Sequence, residues 1–230
     1  NFNHEKKYPL LIYQYSGPGS QEVKNRWNSN RDFWHHMLAQ KGYIIACVDG
    51  RGTGFKGKKF KKITYGQLAK YETEDQISFA KYLSKLPYID KERIGIWGWS
   101  YGGLISTNSI LKGNEIFSLA IAVAPVTNWR FYDTIYTERF MGMPDENSDG
   151  YDLNSPLNYA HLLEGDYLLI HGSADDNVHL QNTMRMVEEL IQEDKQFEWM
   201  IYPDKNHGIY GENTRIHLYQ KMTDFILDNL

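Results

Sequence analysis

A serine flanked by glycines is the first feature of this sequence that could do chemistry. The run Gly98-Trp99-Ser100-Tyr101-Gly102-Gly103 lies between an apolar run typical of a strand and a run typical of a helix, the context that a nucleophile elbow requires. The glycines permit a turn tight enough to lift the Ser100 hydroxyl clear of a sheet. They also place it at a helix N-terminus, where backbone N–H groups can stabilise an oxyanion. A serine in an ordinary glycine-rich turn is the alternative, and the context favours a nucleophile.

A serine hydroxyl is a weak nucleophile unless a base accepts its proton, so a histidine is required. In α/β-hydrolases the acid and then the histidine follow the nucleophile, on loops after the last two strands. His207 follows the final predicted strand by a short loop, and we expect it to be the base. Asp175 and Asp176 both follow the preceding strand. Spacing does not separate them, although Asp176 is better placed to begin the next helix. Six other histidines are expected to be structural or exposed: His4, His35, His36, His171, His179 and His217.

A second oxyanion donor is expected in the loop after the first strand. That loop, Tyr15-Ser16-Gly17-Pro18-Gly19-Ser20, has no run of glycines, and Pro18 has no N–H. A phenol donating from Tyr15, at the strand end, is a plausible substitute. The alternative, that Tyr15 is only a core residue, is equally compatible with the sequence.

An aromatic, turn-rich insert occupies residues 125–164. Its large side chains are either core or a ligand pocket: Val126, Trp129, Phe131, Tyr132, Tyr136 and Phe140. They begin just after the end of a parallel strand, where ligands bind in such sheets. A flat apolar pocket beside Ser100, lined by these side chains, would suit a compact ring such as proline.

Short apolar runs alternate with amphipathic runs along the chain. Six runs are predicted as strands: Leu10–Tyr15, Tyr43–Val48, Ile94–Trp97, Leu119–Ala124, Tyr167–His171 and Phe197–Tyr202. Five helices are predicted between and after these strands. The first covers residues 31–40 after Asn28-Ser29-Asn30, the second opens with a capping box at Thr73-Glu74-Asp75-Gln76, and the third runs from the elbow to Lys112. The fourth has Leu180, Met184, Val187 and Ile191 on one side, and the fifth covers residues 214–228. Because helices between strands impose parallel pairing, we predict an α/β-hydrolase fold, a doubly wound, mostly parallel sheet, over residues 1–230 as one domain.

Composition excludes several classes of protein. The 230 residues are 41% hydrophobic and 23% charged, with a net charge of −4, which rules out a disordered, collagen-like or coiled-coil chain. The mild acidity argues against nucleic acid as a partner. No apolar run reaches 18 residues. The lone Cys47 is expected to be a small buried hydrophobe. No spacing of ligands predicts a metal site, and no cofactor is expected.

Two patterns are set aside. Gly52-x-Gly54-x-x-Gly57 formally matches a dinucleotide fingerprint, but lysines stand where the phosphate-binding helix would begin. In an acidic chain these lysines are more simply a solvated loop: Lys56, Lys58, Lys59, Lys61 and Lys62.

Four motifs together resemble the prolyl oligopeptidase family: residues 98–103, Asp49-Gly50-Arg51-Gly52-Thr53-Gly54, Tyr136-Thr137-Glu138-Arg139 and residues 171–179. They are most similar to its dipeptidyl peptidase IV branch, particularly the bacterial type, over nearly the whole chain. The resemblance implies Ser100 as nucleophile, Asp175 as acid and His207 as base. It implies that Tyr15 and the Tyr101 backbone N–H bind the oxyanion. The proline pocket would be lined by Tyr101, Val126, Trp129, Tyr132, Tyr136 and Val178, and Asn177 would hold a substrate carbonyl.

The resemblance implies a serine exopeptidase that releases N-terminal X-Pro or X-Ala dipeptides from peptide substrates. An acylaminoacyl peptidase or an esterase of the same fold is one alternative. A catalytically silent binding relative is another, which the retained Ser100, acid and His207 disfavour. The family's enzymes carry a β-propeller before this domain, whose glutamates bind the substrate's amino terminus. Since the chain starts at Asn1, we expect a processed or excised catalytic domain without the propeller. The resemblance also implies a bacterial periplasm or surface, and it admits a homodimer.

Overall fold

The computed structural model describes residues 2–26 and 30–230. The described chain contains six strands: β1 (Tyr8–Tyr13), β2 (Ile44–Cys47), β3 (Ile89–Trp99), β4 (Leu119–Val123), β5 (Asp166–Gly172) and β6 (Glu198–Tyr202). Its α-helices are α1 (Asn30–Gln40), α2 (Lys58–Lys62), α3 (Lys70–Leu83), α4 (Tyr101–Lys112), α5 (Thr134–Met141), α6 (Ser148–Asp152), α7 (Gln181–Gln192) and α8 (Thr214–Asn229). The predicted start of α1 at Asn28 and Ser29 lies outside the described residues.

All six strands form one sheet in the order β2-β1-β3-β4-β5-β6, and every neighbouring pair is parallel. Parallel pairing follows from the chain between strands, which has to cross from one end of the sheet to the other. The predicted α/β-hydrolase class is confirmed. Because all strands run the same way, the loops after β1, β3, β5 and β6 meet at one edge of the sheet.

Alternating residues of the central strands serve two separate cores. Leu10, Ile12, Ile94 and Ile96 face α3, α4 and α7, in a core that includes Leu190 of α7. The intervening strand residues face α1 and α8, in a second core formed among others by Leu11, Trp97, Ile121, Leu38 and Met222. Since side chains alternate along a strand, a sheet buried on both faces has continuous apolar strands. The result is three layers, with the sheet between two layers of helices.

The predicted start of one helix is wrong. The predicted capping box at Thr73 does not begin α3, which starts three residues earlier, after Ala69 in a left-handed conformation. The Thr73 hydroxyl instead donates to the Ala69 carbonyl, 2.6 Å away, inside the helix. A threonine that bonds its own helix backbone is not available as a cap.

The insert at residues 125–164, turn-rich by composition, also contains short helices. A 3-10 turn at Trp129–Phe131 is capped by Asn128, and α5 is capped by Asp133, whose Oδ1 accepts from the Tyr136 N–H at 2.8 Å. A further 3-10 segment covers Pro156–Leu162. Among the described residues, no helix combines the length and apolar character needed to cross a membrane.

Candidate active site

Ser100 sits on a strained turn between β3 and α4. Its φ is +60° and its ψ is −118°, a conformation that a residue with a side chain adopts only when its surroundings impose it. A Cβ on Gly98 would lie 2.4 Å from the Gly102 carbonyl oxygen, and one on Gly102 would lie 2.5 Å from the Gln14 carbonyl oxygen. Both glycines are therefore required by contact with backbone. Together they allow the strand-to-helix turn that presents Ser100.

His207 lies in the loop after β6, which is fastened to the end of β5. The Asp204 N–H donates to Ser173 Oγ at 2.8 Å, and the Ala174 N–H donates to the Lys205 carbonyl at 3.1 Å. A Cβ on Gly172 would lie 2.2 Å from the Lys205 carbonyl oxygen, so the two loops pack with backbone against backbone. On the other side of the loop, Trp99 Nε1 donates to the His207 carbonyl at 3.0 Å.

Asp175 is the carboxylate behind this histidine. Its Oδ2 lies 2.7 Å from His207 Nδ1, and its Oδ1 accepts the backbone N–H groups of Asn177 (3.0 Å) and Val178 (2.9 Å). Burial alone would raise the pKa of the Asp175 carboxyl, but hydrogen bonds from His171 and His207 outweigh it and hold the pKa well below its usual range. The group is therefore an anion. Asp176 is exposed and lines a different cavity, beside Arg130.

A second histidine, His171, contacts the same carboxylate. It is fully buried, and its Nε2 lies 2.7 Å from the Val178 carbonyl and 3.2 Å from Asp175 Oδ2. Because a carbonyl only accepts, His171 Nε2 carries a hydrogen. In the neutral imidazole, Nδ1 then accepts from the Thr183 hydroxyl at 2.7 Å. His171 thus anchors the turn that carries Asp175, which is a structural role of the kind expected for it.

Ser100 and His207 line one cavity of about 600 Å³ at the carboxyl edge of the sheet. Tyr15, Tyr132 and Asn177 line it too. Ser100 makes no hydrogen bond to His207 in this arrangement. Such bonds are often long in ligand-free enzymes and tighten when substrate binds.

The Tyr15 ring lies in the loop just after β1, partly buried, on the wall of this cavity. Burial, and then the Glu22 carboxylate, raise the pKa of its phenol. The phenol consequently keeps its proton near neutral pH and can act as a donor. A Cβ on Gly17 would lie 2.6 Å from Tyr15 Cε1, so the missing side chain lets the loop fold onto the ring.

The aromatic insert packs into an apolar cluster beside the elbow. Ring centroids are 5.5 Å apart for Tyr101 and Trp129, 6.0 Å for Trp129 and Tyr136, and 5.4 Å for Tyr132 and Tyr136. The cluster also contains Val126 and Val178, both buried. Tyr132 and Asn177 reach the cavity itself, and the Tyr132 hydroxyl donates to Asn177 Oδ1 at 2.7 Å. Within the insert, Val126 and Trp129 are therefore buried core residues, whereas Tyr132 lies on the wall of the cavity that holds Ser100.

Phe131 and Phe140 lie at the margins of this cluster. Phe131 lines the neighbouring cavity with Asp176, and Phe140 packs on Tyr136 at 4.8 Å between ring centroids. Neither lines the cavity that holds Ser100.

The structure adds a buried carboxyl that sequence reasoning missed. The Tyr101 hydroxyl donates to Glu72 Oε1 at 2.7 Å, and Glu72 is 1% exposed. Burial raises the pKa of this carboxyl to about 7. The misplaced start of α3 concealed it, because a glutamate ahead of a helix has no reason to point at the core.

The patterns set aside in the sequence have structural explanations. A Cβ on Gly54 would lie 2.8 Å from the Gly19 carbonyl oxygen, so this glycine serves loop packing. Lys58–Lys62 form α2, an exposed short helix where a loop was predicted. Cys47, predicted to be a small buried hydrophobe, is half-buried, and burial raises its thiol pKa to about 12. Within residues 2–26 and 30–230, no three His, Cys, Asp or Glu side chains are grouped so that they could hold a metal.

Proteins with similar sequence or structure carry closely related names. A probable dipeptidyl-aminopeptidase B from Arthroderma otae is 45% identical over 231 residues, 99% of this chain and 25% of that protein. One from Pyrenophora teres f. teres is 44% identical, with the same coverage. The crystal structure of Porphyromonas gingivalis dipeptidyl peptidase 4 superposes with a TM-score of 0.97 and 54% identity, over 100% of this chain and 32% of that one. The chain thus spans about a quarter of the length of these curated relatives. Residues 29–230 match the model of the prolyl oligopeptidase family, and the chain belongs to that family.

Proposed function

We propose that this chain is the catalytic part of a serine exopeptidase that releases N-terminal dipeptides with proline or alanine in the second position. One observation carries the proposal. His207 and Asp175, 2.7 Å apart on the loops after the last two strands, share one edge of the sheet with the strained Ser100, which lines a cavity together with His207. The relatives' names, dipeptidyl-aminopeptidase and dipeptidyl peptidase, support the release of dipeptides.

The hydrogen bond to Asp175 assigns the proton of His207 in the proposed mechanism. Because the carboxylate accepts from Nδ1, Nε2 is left with a lone pair and takes the Ser100 proton as Oγ attacks the scissile carbonyl. The imidazolium then returns that proton to the leaving amine, and the dipeptide remains as an ester on Ser100. Water attacks this acyl-enzyme with His207 again as base, which frees the dipeptide and regenerates Ser100.

Two donors would hold the oxyanion that forms at each attack. The Tyr101 N–H is at the first residue of α4, where it has no carbonyl partner inside the helix. The Tyr15 phenol shares the cavity with Ser100 and keeps its proton, because burial raises its pKa. A donor aimed at a developing charge stabilises the transition state more than the ground state.

The neighbouring side chains suit the proposed substrate. Tyr132 holds Asn177 Oδ1, which leaves the amide N–H groups of Asn177 to donate to a substrate carbonyl. Val126, Trp129, Tyr136 and Val178 would form the apolar surround of a small ring or a methyl group. A pocket that opens between these side chains when substrate binds would reject longer side chains by steric contact.

Binding of the substrate's free amine is proposed to come from outside these 230 residues. Curated relatives are about four times as long as this chain, and the family resemblance implies a β-propeller that supplies glutamates. The propeller, a homodimer and the boundaries of the domain stay predictions.

The test compares anilides of Gly-Pro, Gly-Leu and N-acetyl-Gly-Pro with the protein expressed from its complete natural gene, and with Ser100→Ala as the control. The proposal expects Gly-Pro to exceed both others in kcat/KM by at least about 10²-fold, since a misplaced substrate loses much of its rate. Equal turnover of the blocked substrate would instead indicate an acylaminoacyl peptidase or esterase. No turnover of any substrate would indicate a silent binding module.

A further inference from the structure

Three buried polar side chains are joined by hydrogen bonds on both sides of Tyr15. Gln14 and Ser16 flank it in the chain, and Gln76 comes from α3. We infer that this Gln14–Ser16–Gln76 network positions the Tyr15 phenol relative to the nucleophile elbow. The inference rests on the proposed function, in which that phenol is an oxyanion donor.

One end of the network holds the helix that begins at the elbow. Gln14 Nε2 donates to the Gly102 carbonyl at 2.7 Å and to Ser106 Oγ at 3.0 Å. The backbones are also in direct contact, since a Cβ on Gly102 would lie 3.2 Å from Tyr15 Cα. The segment that carries Tyr15 is therefore fastened to the helix whose first N–H is the other oxyanion donor.

The other end fixes the turn that follows Tyr15. Ser16 Oγ donates to Gln14 Oε1 at 3.0 Å and accepts from Gln76 Nε2 at 3.3 Å. Gln76 Nε2 also lies 3.3 Å from the Val48 carbonyl, just after β2. Ser16 has a φ of +64°, and a residue other than glycine stays in that region only when its surroundings hold it there. The Ser16 hydroxyl supplies that restraint one residue from the phenol.

Burying these polar side chains costs desolvation free energy, which stability alone does not require. Gln14, Ser16 and Gln76 are 1%, 2% and 0% exposed, respectively, and Gln76 Oε1 has no hydrogen-bond partner among the described residues. Apolar side chains would be buried here at lower cost. Directional hydrogen bonds provide what apolar contacts do not, a fixed orientation between two elements. Here those elements carry the two proposed oxyanion donors.

A double-mutant cycle tests the inference on the protein expressed from its complete natural gene, with Gly-Pro anilide as substrate. The set is wild type, Ser16→Ala, Tyr15→Phe and the double variant. Ser16→Ala is expected to lower kcat about tenfold and to leave KM within about twofold, since small displacements of a catalytic group reduce rate. The double variant is expected to match Tyr15→Phe within about twofold, because no phenol is left to position.

Two further variants separate positioning from folding. Ser109→Ala removes another fully buried hydroxyl, on α4, whose Oγ has no partner within the part of the chain the structure describes. It is expected to keep kcat within about twofold of wild type. Gln76→Leu removes the far end of the network together with its unpartnered oxygen. It should lower kcat when the Tyr15 phenol is present and have no added effect when Tyr15→Phe has removed it. Thermal midpoints confirm that each variant is folded.

Three results would overturn the inference. They are wild-type kcat for Ser16→Ala and Gln76→Leu, an equal loss from Ser16→Ala whether or not Tyr15→Phe is also present, and wild-type kcat for Tyr15→Phe. Ser100→Ala, measured in the same series, distinguishes these from failure of the proposed function. If Ser100→Ala is inactive, the serine mechanism stands although the inference has failed. If it turns over substrate normally, both fail.

Discussion

Replacing Asp175 by asparagine should reverse the tautomer of His207. Asp175 Oδ1 accepts two backbone N–H groups, from Asn177 and Val178, so the new amide keeps its oxygen there. Its NH₂ group then occupies the Oδ2 position, 2.7 Å from His207 Nδ1. A donor at that position requires Nδ1 to be an acceptor and places the imidazole hydrogen on Nε2. His207 would then be unable to take the Ser100 proton.

The expected loss is about 10⁴ in kcat, the cost of this replacement in a serine-protease triad where geometry is kept and the tautomer is wrong. It corresponds to about 5 kcal/mol of transition-state stabilisation, at about 1.36 kcal/mol for each factor of ten. His171 Nε2 lies 3.2 Å from the same oxygen and also carries a hydrogen, so the amide meets a second donor. A lowered thermal midpoint should accompany the loss of rate.

The assay measures kcat on Gly-Pro anilide together with the nitrogen chemical shifts of His207, which report its tautomer directly. Asp176→Asn is the matched control, because it makes the same change one residue away on an exposed side chain. It should keep kcat within about twofold. A fall of less than tenfold in Asp175→Asn, or an equal fall in Asp176→Asn, would refute the assignment of Asp175 as the acid.

Three other predictions follow from the contacts described above. Glu72 ionises near pH 4.3 when unfolded and near 7 when folded. Between these two pH values the folded state therefore binds more protons, and the free energy of unfolding falls as pH rises. Urea unfolding should show this fall in wild type and not in Glu72→Gln. The same fall in both proteins would exclude Glu72 as its source. Gly102→Ala should abolish turnover and lower the thermal midpoint, because the alanine Cβ would lie 2.5 Å from the Gln14 carbonyl oxygen. Wild-type activity and thermal midpoint in this variant would contradict the tight packing. The 230-residue chain alone should be labelled at Ser100 by a fluorophosphonate. It should cleave Gly-Pro anilide at least about 10²-fold more slowly than the protein from the complete gene. Equal rates would show that no group outside these 230 residues binds the substrate's amino terminus.

Patterns that depend on neighbouring residues were readable from the sequence. The elbow at Ser100 is a local turn, and Gly98 is required by a contact inside it, with the Gly102 carbonyl oxygen. The alternation of strands and helices likewise predicted a parallel sheet, because that connection leaves no other pairing. Placing His207 after the last strand needed only the order of elements.

Features that depend on distant contacts were not readable. Asp175 and Asp176 have the same residue type and nearly the same position, so spacing did not separate them. The family resemblance pointed to Asp175, and the three-dimensional turn shows that this residue faces His207. Nothing in the neighbourhood of Glu72 indicates that it meets Tyr101, 29 residues away. The capping box at Thr73 was misleading, since a threonine that bonds its own helix has the same sequence signature as a cap.

The central claim is that Ser100 is a nucleophile activated by His207. It is tested most directly by the rate of fluorophosphonate labelling, with the labelled site mapped by mass spectrometry, in wild type and in His207→Ala. We expect a single label on Ser100 in wild type and a labelling rate at least about 10³-fold lower without the imidazole. A label on another residue, or labelling of Ser100 at the wild-type rate in His207→Ala, would contradict it.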